Sequence, residues 1–177
     1  MPGTQHIIQT AYVVNDLDHA IERWHGLWGI GPFFVRRHMQ FASVTYRGAP
    51  GSLDQSVAYV QAGDTMVEFI CPHGDAPNAF RDVFAPGEEG LHHIAMSQPE
   101  DYAAMLAHYT GKGFPVAMEV RTLAGRGAAF IDTRPMLGHM TEIYVPSEGL
   151  TNLYREVAAG AANWDHKQLK IEVDPTK

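Results

Sequence analysis

Two glutamates, a histidine and a glutamine are the side chains of this sequence best suited to do chemistry together. Glu68 and Glu142 each stand at the middle of a short apolar run, and Gln9 and His93 each stand near the start of another. One imidazole, two carboxylates and one amide oxygen suit a divalent cation of hard to borderline character. Because the amide is neutral, the two carboxylates balance such an ion, and its remaining positions would go to water or substrate.

The surroundings of the two glutamates make them unusual. Side chains alternate between the faces of a strand, and apolar residues both flank and oppose each glutamate. A lone carboxylate there is costly unless an arginine or a metal ion compensates its charge. Taken singly, a strand histidine is more often a hydrogen-bonded core residue, so the metal hypothesis depends on the matched positions of all four. By the same alternation His92 and His139 are out of phase with His93 and Glu142, and we expect them to pack or to support the ligands.

The four positions are matched because the chain reads as one unit written twice. His93 follows Gln9 by 84 positions, and Glu142 follows Glu68 by 74. In each half a strand-like run leads to a polar acidic turn, a helical pattern that ends at glycine and proline, further strands, and a last strand that carries the glutamate. This order predicts two βαβββ modules.

The predicted elements follow from apolar periodicity and turn residues. The first half has a helix over 18–27, capped by Asn15 or Asp16, and strands over 6–14, 33–38, 43–47, 55–61 and 64–71. The second has a helix over 100–110 and strands over 91–96, 116–121, 127–131 and 139–145. A last helix over 150–158 is capped from Ser147, and the polar tail beyond it is expected to dock loosely or to form an oligomer contact.

These elements divide one domain into four parts. We expect the first module over 1–72, a linker over 73–90 with a short helical piece near 79–84, the second module over 91–146, and a C-terminal helix and tail over 147–177. The linker is rich in proline, glycine and acidic residues, which are typical of a surface connection.

Composition narrows the class of protein. The chain of 177 residues has 13 basic and 20 acidic side chains and a net charge of −7, which argues against nucleic acid and anionic lipid as partners. No apolar run approaches the roughly 20 residues of a spanning helix, and the first residues do not resemble a secretory signal. The single cysteine, Cys71, excludes an internal disulfide and fits a reducing compartment. We therefore expect a cytoplasmic protein with a small-molecule partner, which forms a homodimer.

Five stretches together carry a family resemblance across residues 9–146: QTAYVVNDLDHAIERW, GIGPFF, DTMVEFICP, GLHHIAM and GHMTEIYVP. In this order they resemble the vicinal oxygen chelate superfamily, the group of glyoxalase I, methylmalonyl-CoA epimerase, extradiol dioxygenases and bleomycin-resistance proteins. The resemblance implies an α+β fold in which two paired βαβββ modules form a curved mixed sheet, a cup around a divalent metal with the helices outside. It also implies the metal ligands Gln9, Glu68, His93 and Glu142.

The ligand set implies a kind of chemistry. Glutamine at the first place resembles the eukaryotic-type glyoxalase I and departs from the His-His-Glu triad of extradiol dioxygenases, so Zn, Ni, Co or Mn is expected before Fe. The resemblance thus implies a glyoxalase-like isomerase, lyase or epimerase that moves a proton next to a carbonyl through a metal-stabilised enolate or enediolate. Glu142 is the expected base and Glu68 its partner. An extradiol-type ring-cleavage dioxygenase and a non-catalytic small-molecule-binding protein remain as alternatives.

Substrate contacts are expected from aromatic and basic residues after the first helix. Aromatic side chains that could line an apolar cup are Phe33, Phe34, Tyr46 and Tyr59. Arg36, Arg37 and His38 could meet a carboxylate or the phosphate tail of a thioester. Of these we select Phe34, Arg36, His38 and Tyr46, against the alternatives of core packing and of a solvated strand edge.

Overall fold

The structure is a computed structural model that describes residues 6–96 and 101–176. Its helices are α1 (Leu17–Trp28), α2 (Tyr102–Gly111), α3 (Arg134–Leu137) and α4 (Glu148–Ala162). Its strands are β1 (Ile7–Val13), β2 (Phe33–Arg36), β3 (Phe41–Tyr46), β4 (Ala49–Pro50), β5 (Asp54–Ala62), β6 (Thr65–His73), β7 (Gly90–Met96), β8 (Val116–Thr122), β9 (Gly127–Ile131), β10 (Met140–Val145) and β11 (Lys170–Glu172). Among the described residues, no helix has the length and apolar character needed to cross a membrane.

All the strands belong to one mixed sheet that contains the same arrangement twice. The strand order is β11-β2-β5-β6-β1-β7-β10-β9-β8-β3-β4. In one half β1 is parallel to β6, and in the other β7 is parallel to β10. The halves meet where β1 and β7 pair antiparallel, with Ala11 opposite His93. This sheet confirms the predicted α+β fold with a repeated βαβββ order.

Helix α1 is capped by Asp16, one of the two predicted caps, and is one residue longer at each end than predicted. The Asp16 side chain accepts a hydrogen bond from the His19 backbone N–H, which satisfies a donor of the first turn. Gly29 ends the helix with a φ of 67°, a left-handed conformation that glycine adopts without steric cost. Leu17, Ala20 and Ile21 are buried with Phe33, Val35 and Phe69 on one face of the sheet. We call this the convex face and the opposite one the concave face.

The two faces of the sheet carry different cores. Helices α1 and α2 pack on the convex face, as expected for the helices of the two modules. Helix α4 lies on the concave face instead, where Leu153 and Val157 are buried with Tyr59 and Ile70 of the sheet. Gly160 permits close packing there, because a Cβ at this position would lie 2.6 Å from the Phe34 ring.

The chain departs from its predicted course in the hairpin β3–β4. We expected a strand over 43–47 beside the other strands of the first half, but β3 crosses to the far edge and pairs with β8. Phe41 and Val44 of this strand pack against the concave core, next to Val120 of β8. The hairpin thus joins the two halves at the edge farthest from their β1–β7 junction.

Two segments outside the repeat also differ from expectation. Residues 79–83 form turns instead of a helical piece, because the Asn78 side chain accepts the backbone N–H groups of Phe80 and Arg81 and so favours a local turn. The tail forms β11, which pairs with β2 along Lys170–Glu172. The helices also extend past their predicted ends, and the predicted start of α2 at residue 100 lies outside the described residues.

Candidate metal centre

The four candidate ligands lie on the four central strands, with their side chains on the concave face. Gln9, Glu68, His93 and Glu142 stand on β1, β6, β7 and β10. Strand register brings them together, because Ala11 of β1 is opposite both Glu68 and His93. All four are buried, with exposed fractions of 1%, 7%, 0% and 5%. The repeat therefore places two side chains from each half at the junction of the halves.

The polar atoms of these side chains converge on one point. One ligand atom from each of Glu68, His93 and Glu142 lies within 4.8 Å of the other two. His93 Nε2 is 3.1 Å from Glu142 Oε2 and 3.8 Å from Glu68 Oε2, and Gln9 Nε2 donates to Glu68 Oε2 at 3.1 Å. Ligand atoms in a tetrahedral site with bonds of about 2.1 Å are about 3.4 Å apart. The observed spacing is therefore compatible with a metal site.

Burial and mutual repulsion hold the two carboxyl groups toward their neutral forms. Burial raises the pKa of Glu142 to about 8. Burial, followed by repulsion from Glu142, raises the pKa of Glu68 well above its usual range. Burial also lowers the pKa of His93 to about 3, so this imidazole is neutral near pH 7. A cation between the carboxylates would offset both effects, because it favours their ionised forms.

The orientation of His93 is fixed by a chain of hydrogen bonds. His92 Nε2 lies 3.0 Å from the Ala79 carbonyl oxygen, which can only accept, so this nitrogen carries the proton. Burial lowers the pKa of His92 to about 3, so its Nδ1 is an acceptor and takes the Nδ1–H of His93 at 2.9 Å. The remaining nitrogen, His93 Nε2, then presents a lone pair toward two carboxyl groups.

That lone pair gives a direct test of whether a cation fits. A neutral imidazole nitrogen and carboxylate oxygens repel each other unless a proton or a cation lies between them. Both glutamates place a carboxyl oxygen near this same imidazole nitrogen, at 3.8 Å for Glu68 and 3.1 Å for Glu142. The donor set of one imidazole and two carboxylates therefore fits a divalent metal, with His93, Glu68 and Glu142 as the ligands that would hold it.

Gln9 is held differently from the other three side chains. Its Oε1 accepts hydrogen bonds from the hydroxyl groups of Tyr144 and Tyr154, so the amide nitrogen and not the oxygen faces Glu68. A rotation of the amide by 180° exchanges the two atoms, and tyrosine hydroxyls can accept as well as donate. Both orientations satisfy the amide, so Gln9 as an oxygen ligand stays a prediction.

A cavity on the concave face opens onto this centre. Its walls combine an apolar surface with a few polar groups, as in many small-molecule sites. They include Gln9, Glu68, Glu142, Tyr144, Tyr59, Gln55, Arg126, Met39, Phe41, Phe80, Phe130, Leu150 and Leu153. Strands of both halves, the crossing strand β3 and helix α4 thus all contribute to one pocket.

Comparison with known families agrees with this architecture. The model of a family described as the glyoxalase/bleomycin resistance protein/dioxygenase superfamily matches residues 8–130 of the 177. The chain belongs to this superfamily. The predicted resemblance to the vicinal oxygen chelate superfamily is thereby confirmed. None of the compared proteins of curated function matches the sequence of this chain.

Solved structures of the superfamily share the fold with this chain at low identity. A methylmalonyl-CoA epimerase in complex with methylmalonyl-CoA and ammonium is 19% identical, covers 81% of this chain and 96% of its own, and has a TM-score of 0.54. The methylmalonyl-CoA epimerase of Mycobacterium tuberculosis is 17% identical, with 82% and 91% coverage and a TM-score of 0.51. A hypothetical protein from Bacillus halodurans C-125 is 15% identical, with 82% and 96% coverage and a TM-score of 0.56.

The four predicted substrate contacts of this vicinal oxygen chelate protein lie in different places. Arg36 is buried on the concave side, 5.5 Å above the ring of Tyr59. Phe34 packs against helix α4, and the Tyr46 hydroxyl donates to Asp82 at 2.6 Å. Of the wider aromatic set, Tyr59 lines the cavity, whereas Phe33 belongs to the convex core.

His38 lies on the outer surface, with a left-handed φ of 49°. Its Nδ1 is 2.9 Å from Asp54, and its ring stacks on His73 with centroids 4.5 Å apart. The cavity at the candidate metal centre is not lined by any of the four, Phe34, Arg36, His38 or Tyr46, and His38 lines a second cavity beside β3. Their contact with a substrate stays a prediction.

Several functional candidates escaped the sequence reasoning. Tyr144 lies two residues after Glu142 and shares its face, so strand alternation could have placed it at the centre. Tyr154 comes from α4, which periodicity identified as a helix without indicating that it enters the cup. The role of His92 was half foreseen, because a second histidine next to a ligand suggests support, but its contact with Ala79 depends on the path of the linker.

Proposed function

We propose that this protein is a divalent-metal-dependent enzyme that moves a proton on a carbon next to a carbonyl group, as a glyoxalase-like isomerase, lyase or epimerase. The observation that carries the proposal is the convergence of the neutral His93 Nε2 lone pair and two buried carboxyl groups on one point. Zn, Ni, Co or Mn bound there would supply Lewis acidity toward the carbonyl oxygen of a substrate.

Glu142 is the proposed base. Its carboxylate takes the proton as the C–H bond breaks, and the electron pair of that bond moves to the carbonyl oxygen. Its pKa of about 8 without a cation, lowered when a cation binds, places it near neutral pH, where a general base works best. Return of the proton to the same carbon on the other face gives epimerisation, and return to a neighbouring atom gives isomerisation.

Glu68 is the partner of Glu142 in this proposal. It comes from the other half of the sheet, and the Gln9 amide donates to it at 3.1 Å. Two carboxylates on two sides of one cavity would allow removal of a proton on one face of a substrate and delivery on the other. Either one alone would support a glyoxalase-like transfer within one face.

The solved relatives suggest where to search for the substrate. Structures of methylmalonyl-CoA epimerase were determined with methylmalonyl-CoA and with 2-nitronate-propionyl-CoA. At 15–20% identity these relatives share the fold with this chain, so their substrates are candidates only. Acyl thioesters therefore join hydroxy-ketones and hemithioacetals in the set to be tested.

The test is uptake of solvent deuterium into the candidate substrates, followed by mass spectrometry. Metal-loaded wild-type protein should exchange the acidic C–H of at least one candidate. Glu142→Gln should retain the metal and lose about 10²–10⁴ in exchange rate, the usual contribution of a positioned base. Glu119→Gln is the matched control, because Glu119 of β8 accepts a hydrogen bond from Tyr102 of α2 and does not line the cavity, so this variant should exchange at the wild-type rate.

Other outcomes would assign the protein to the alternatives. Full exchange activity in Glu142→Gln would reject this residue as the base. Bound iron together with oxygen consumption on a catechol would indicate a ring-cleavage dioxygenase. Tight binding of small molecules with no exchange in any candidate, and no metal after gentle purification, would indicate a binding protein.

A further inference from the structure

Arg36 occupies a position that the proposed proton transfer does not use. It ends β2, where Phe33 and Val35 face the convex core, so alternation places Arg36 on the concave face. Only 4% of its surface is exposed, and its guanidinium lies above the ring of Tyr59, which lines the cavity. A guanidinium stays charged at any pH a protein experiences, so this is a buried positive charge next to the pocket.

This buried charge lacks hydrogen-bond partners. Within the described part of the chain, Arg36 Nε and Nη1 are buried and have no acceptor, and Gln55 Oε1 has no donor. Gln55 lines the cavity and alternates with Val57 and Tyr59 on the same face of β5, and Val57 is directly opposite Arg36. Unmet hydrogen bonds of buried charged groups are costly and are rare in native structures, so their presence points to a ligand.

The charged groups around the cavity indicate the sign of the charge on that ligand. A divalent cation balances Glu68 and Glu142, so the positive charge of Arg36, to which Arg126 of the cavity wall adds, favours an anion. Strand spacing puts the Arg36 and Glu68 backbones roughly 12 Å apart, two strands over and two residues along, and both side chains extend into the same cup. The Arg36 charge acts on the Glu68 carboxyl group, as expected at this separation.

We infer that Arg36 binds a carboxylate at the far end of the substrate, because its unmet N–H groups need an acceptor. The Gln55 amide can contribute only through Nε2, after the rotation that exchanges its oxygen and nitrogen. A carboxylate supplies two acceptor oxygens with one negative charge, which suits a single guanidinium. The substrate class is then a short acid with an activated carbonyl at one end and a carboxylate a few carbons away. This inference rests on the proposed function, because the carbonyl end is held at the same metal.

The test compares pairs of probes that share a metal-binding end. Calorimetry on the metal-loaded protein would measure 2-oxosuccinate, 2-oxoglutarate and 2-oxoadipate, each against the 2-oxo monoacid of equal chain length that lacks the remote carboxylate. We expect the diacid to bind about tenfold or more tightly at one chain length, as a charged hydrogen bond would give. Arg36→Gln should abolish this preference, measured as the ratio of diacid to monoacid affinity within each variant, because that ratio cancels the effect of the Arg36 charge on the metal end.

Arg37→Gln is the matched control. Arg37 is the next residue, but it is paired with Asp18 and Glu172 at the surface, so its loss should leave the preference intact. If Arg36→Gln does not fold, Arg36→Lys keeps the charge with fewer donors and should reduce the preference without abolishing it.

The outcomes separate this inference from the function on which it rests. Equal affinity for diacid and monoacid at every chain length, with binding that needs the metal, would overturn the role of Arg36 and leave the metal function standing. A preference that survives in Arg36→Gln would do the same. If no probe binds the metal-loaded wild type, or if the probes bind equally well without metal, the proposed function is contradicted and the inference with it.

Discussion

The two halves of the sheet carry equivalent positions with different chemistry. The first half offers an amide and a carboxylate, from Gln9 and Glu68. The second half offers an imidazole and a carboxylate, from His93 and Glu142. The carboxylates keep the same place in both halves, whereas the partner on the first strand differs. The repeated backbone therefore fixes where the ligands lie, and the side chain at one position per half fixes what they can bind.

The supports of the two halves differ more than the ligands do. His93 is oriented by His92, which is in turn fixed by the Ala79 carbonyl in the connection between the halves. Gln9 is oriented by Tyr144 and Tyr154, from β10 and α4. Each half of the site is thus completed by residues outside its own half. Orientation of a ligand depends on segments that break the repeat.

A substitution that makes the two halves alike should reduce metal affinity more than any other change considered. His93→Gln would give both halves an amide and remove the only imidazole ligand, so we expect metal affinity to fall by more than about a hundredfold, beyond the loss typical of a supporting residue. Gln9→Ala removes a neutral group and should cost far less. Competition with a chromogenic chelator would measure both. A larger loss for Gln9→Ala would reverse the ranking and contradict a centre built on His93.

The second largest loss of metal affinity should follow removal of the hydrogen bond that orients His93. His92→Leu keeps the ligand but deprives its Nδ1–H of an acceptor, so metal affinity should fall about 10- to 100-fold. His19→Leu is the control, because this histidine is exposed on α1. An unchanged affinity in His92→Leu, in a protein whose circular dichroism matches wild type, would mean that packing alone orients the ligand.

The parts of this molecule that sequence could predict are those set by local pattern and by the repeat. The places of Glu68 and Glu142 follow from alternation in apolar strands, and the helices α1 and α4 follow from periodicity and from the caps Asp16 and Ser147. These features depend on neighbours in the chain, which a sequence displays directly.

The parts that sequence could not predict depend on where nonlocal segments dock. The strand pattern of β3 is the same whether it pairs in its own half or crosses to β8. The amphipathic pattern of α4, with Leu153 and Val157 on one side, shows that one face is buried but not against which side of the sheet. Three residues of β11 are too few for a strand pattern. Tyr154 could not be assigned to the site for the same reason.

The pH dependence of stability is the next test, because burial raises the pKa values of the carboxyl groups and lowers those of the imidazoles. Without metal the folded protein holds a proton on Glu142 up to a pH of about 8, whereas the unfolded chain releases it near 4.5, so the metal-free protein should lose stability as pH rises through this window. The lowered pKa values of His92 and His93, about 3, oppose this trend below 6.5, where the unfolded chain takes up protons.

Above pH 6.5 only the carboxyl effect remains. A cation must displace the protons of the buried carboxyl groups, so metal affinity should rise between pH 6.5 and 8 by up to about tenfold per pH unit for each carboxyl group that is still protonated. Thermal melts with and without Zn²⁺, at several pH values, measure both quantities. A melting temperature of the metal-free protein that increases across this window would contradict the protonated state of the buried carboxyl groups.

The smallest expected effect concerns the support of Gln9. Tyr144→Phe removes a hydroxyl that donates to the Gln9 oxygen and leaves the ring, so metal affinity should fall only about threefold to tenfold, the net value of one buried hydrogen bond. Tyr46→Phe is the control, because its hydroxyl donates to Asp82 away from the centre. Because the Tyr144 hydroxyl also hydrogen-bonds Glu142, the loss should shrink without vanishing when Gln9 is already alanine. A loss as large in the double variant as in the single variant would assign the effect of Tyr144 to Glu142 alone and contradict its support of Gln9.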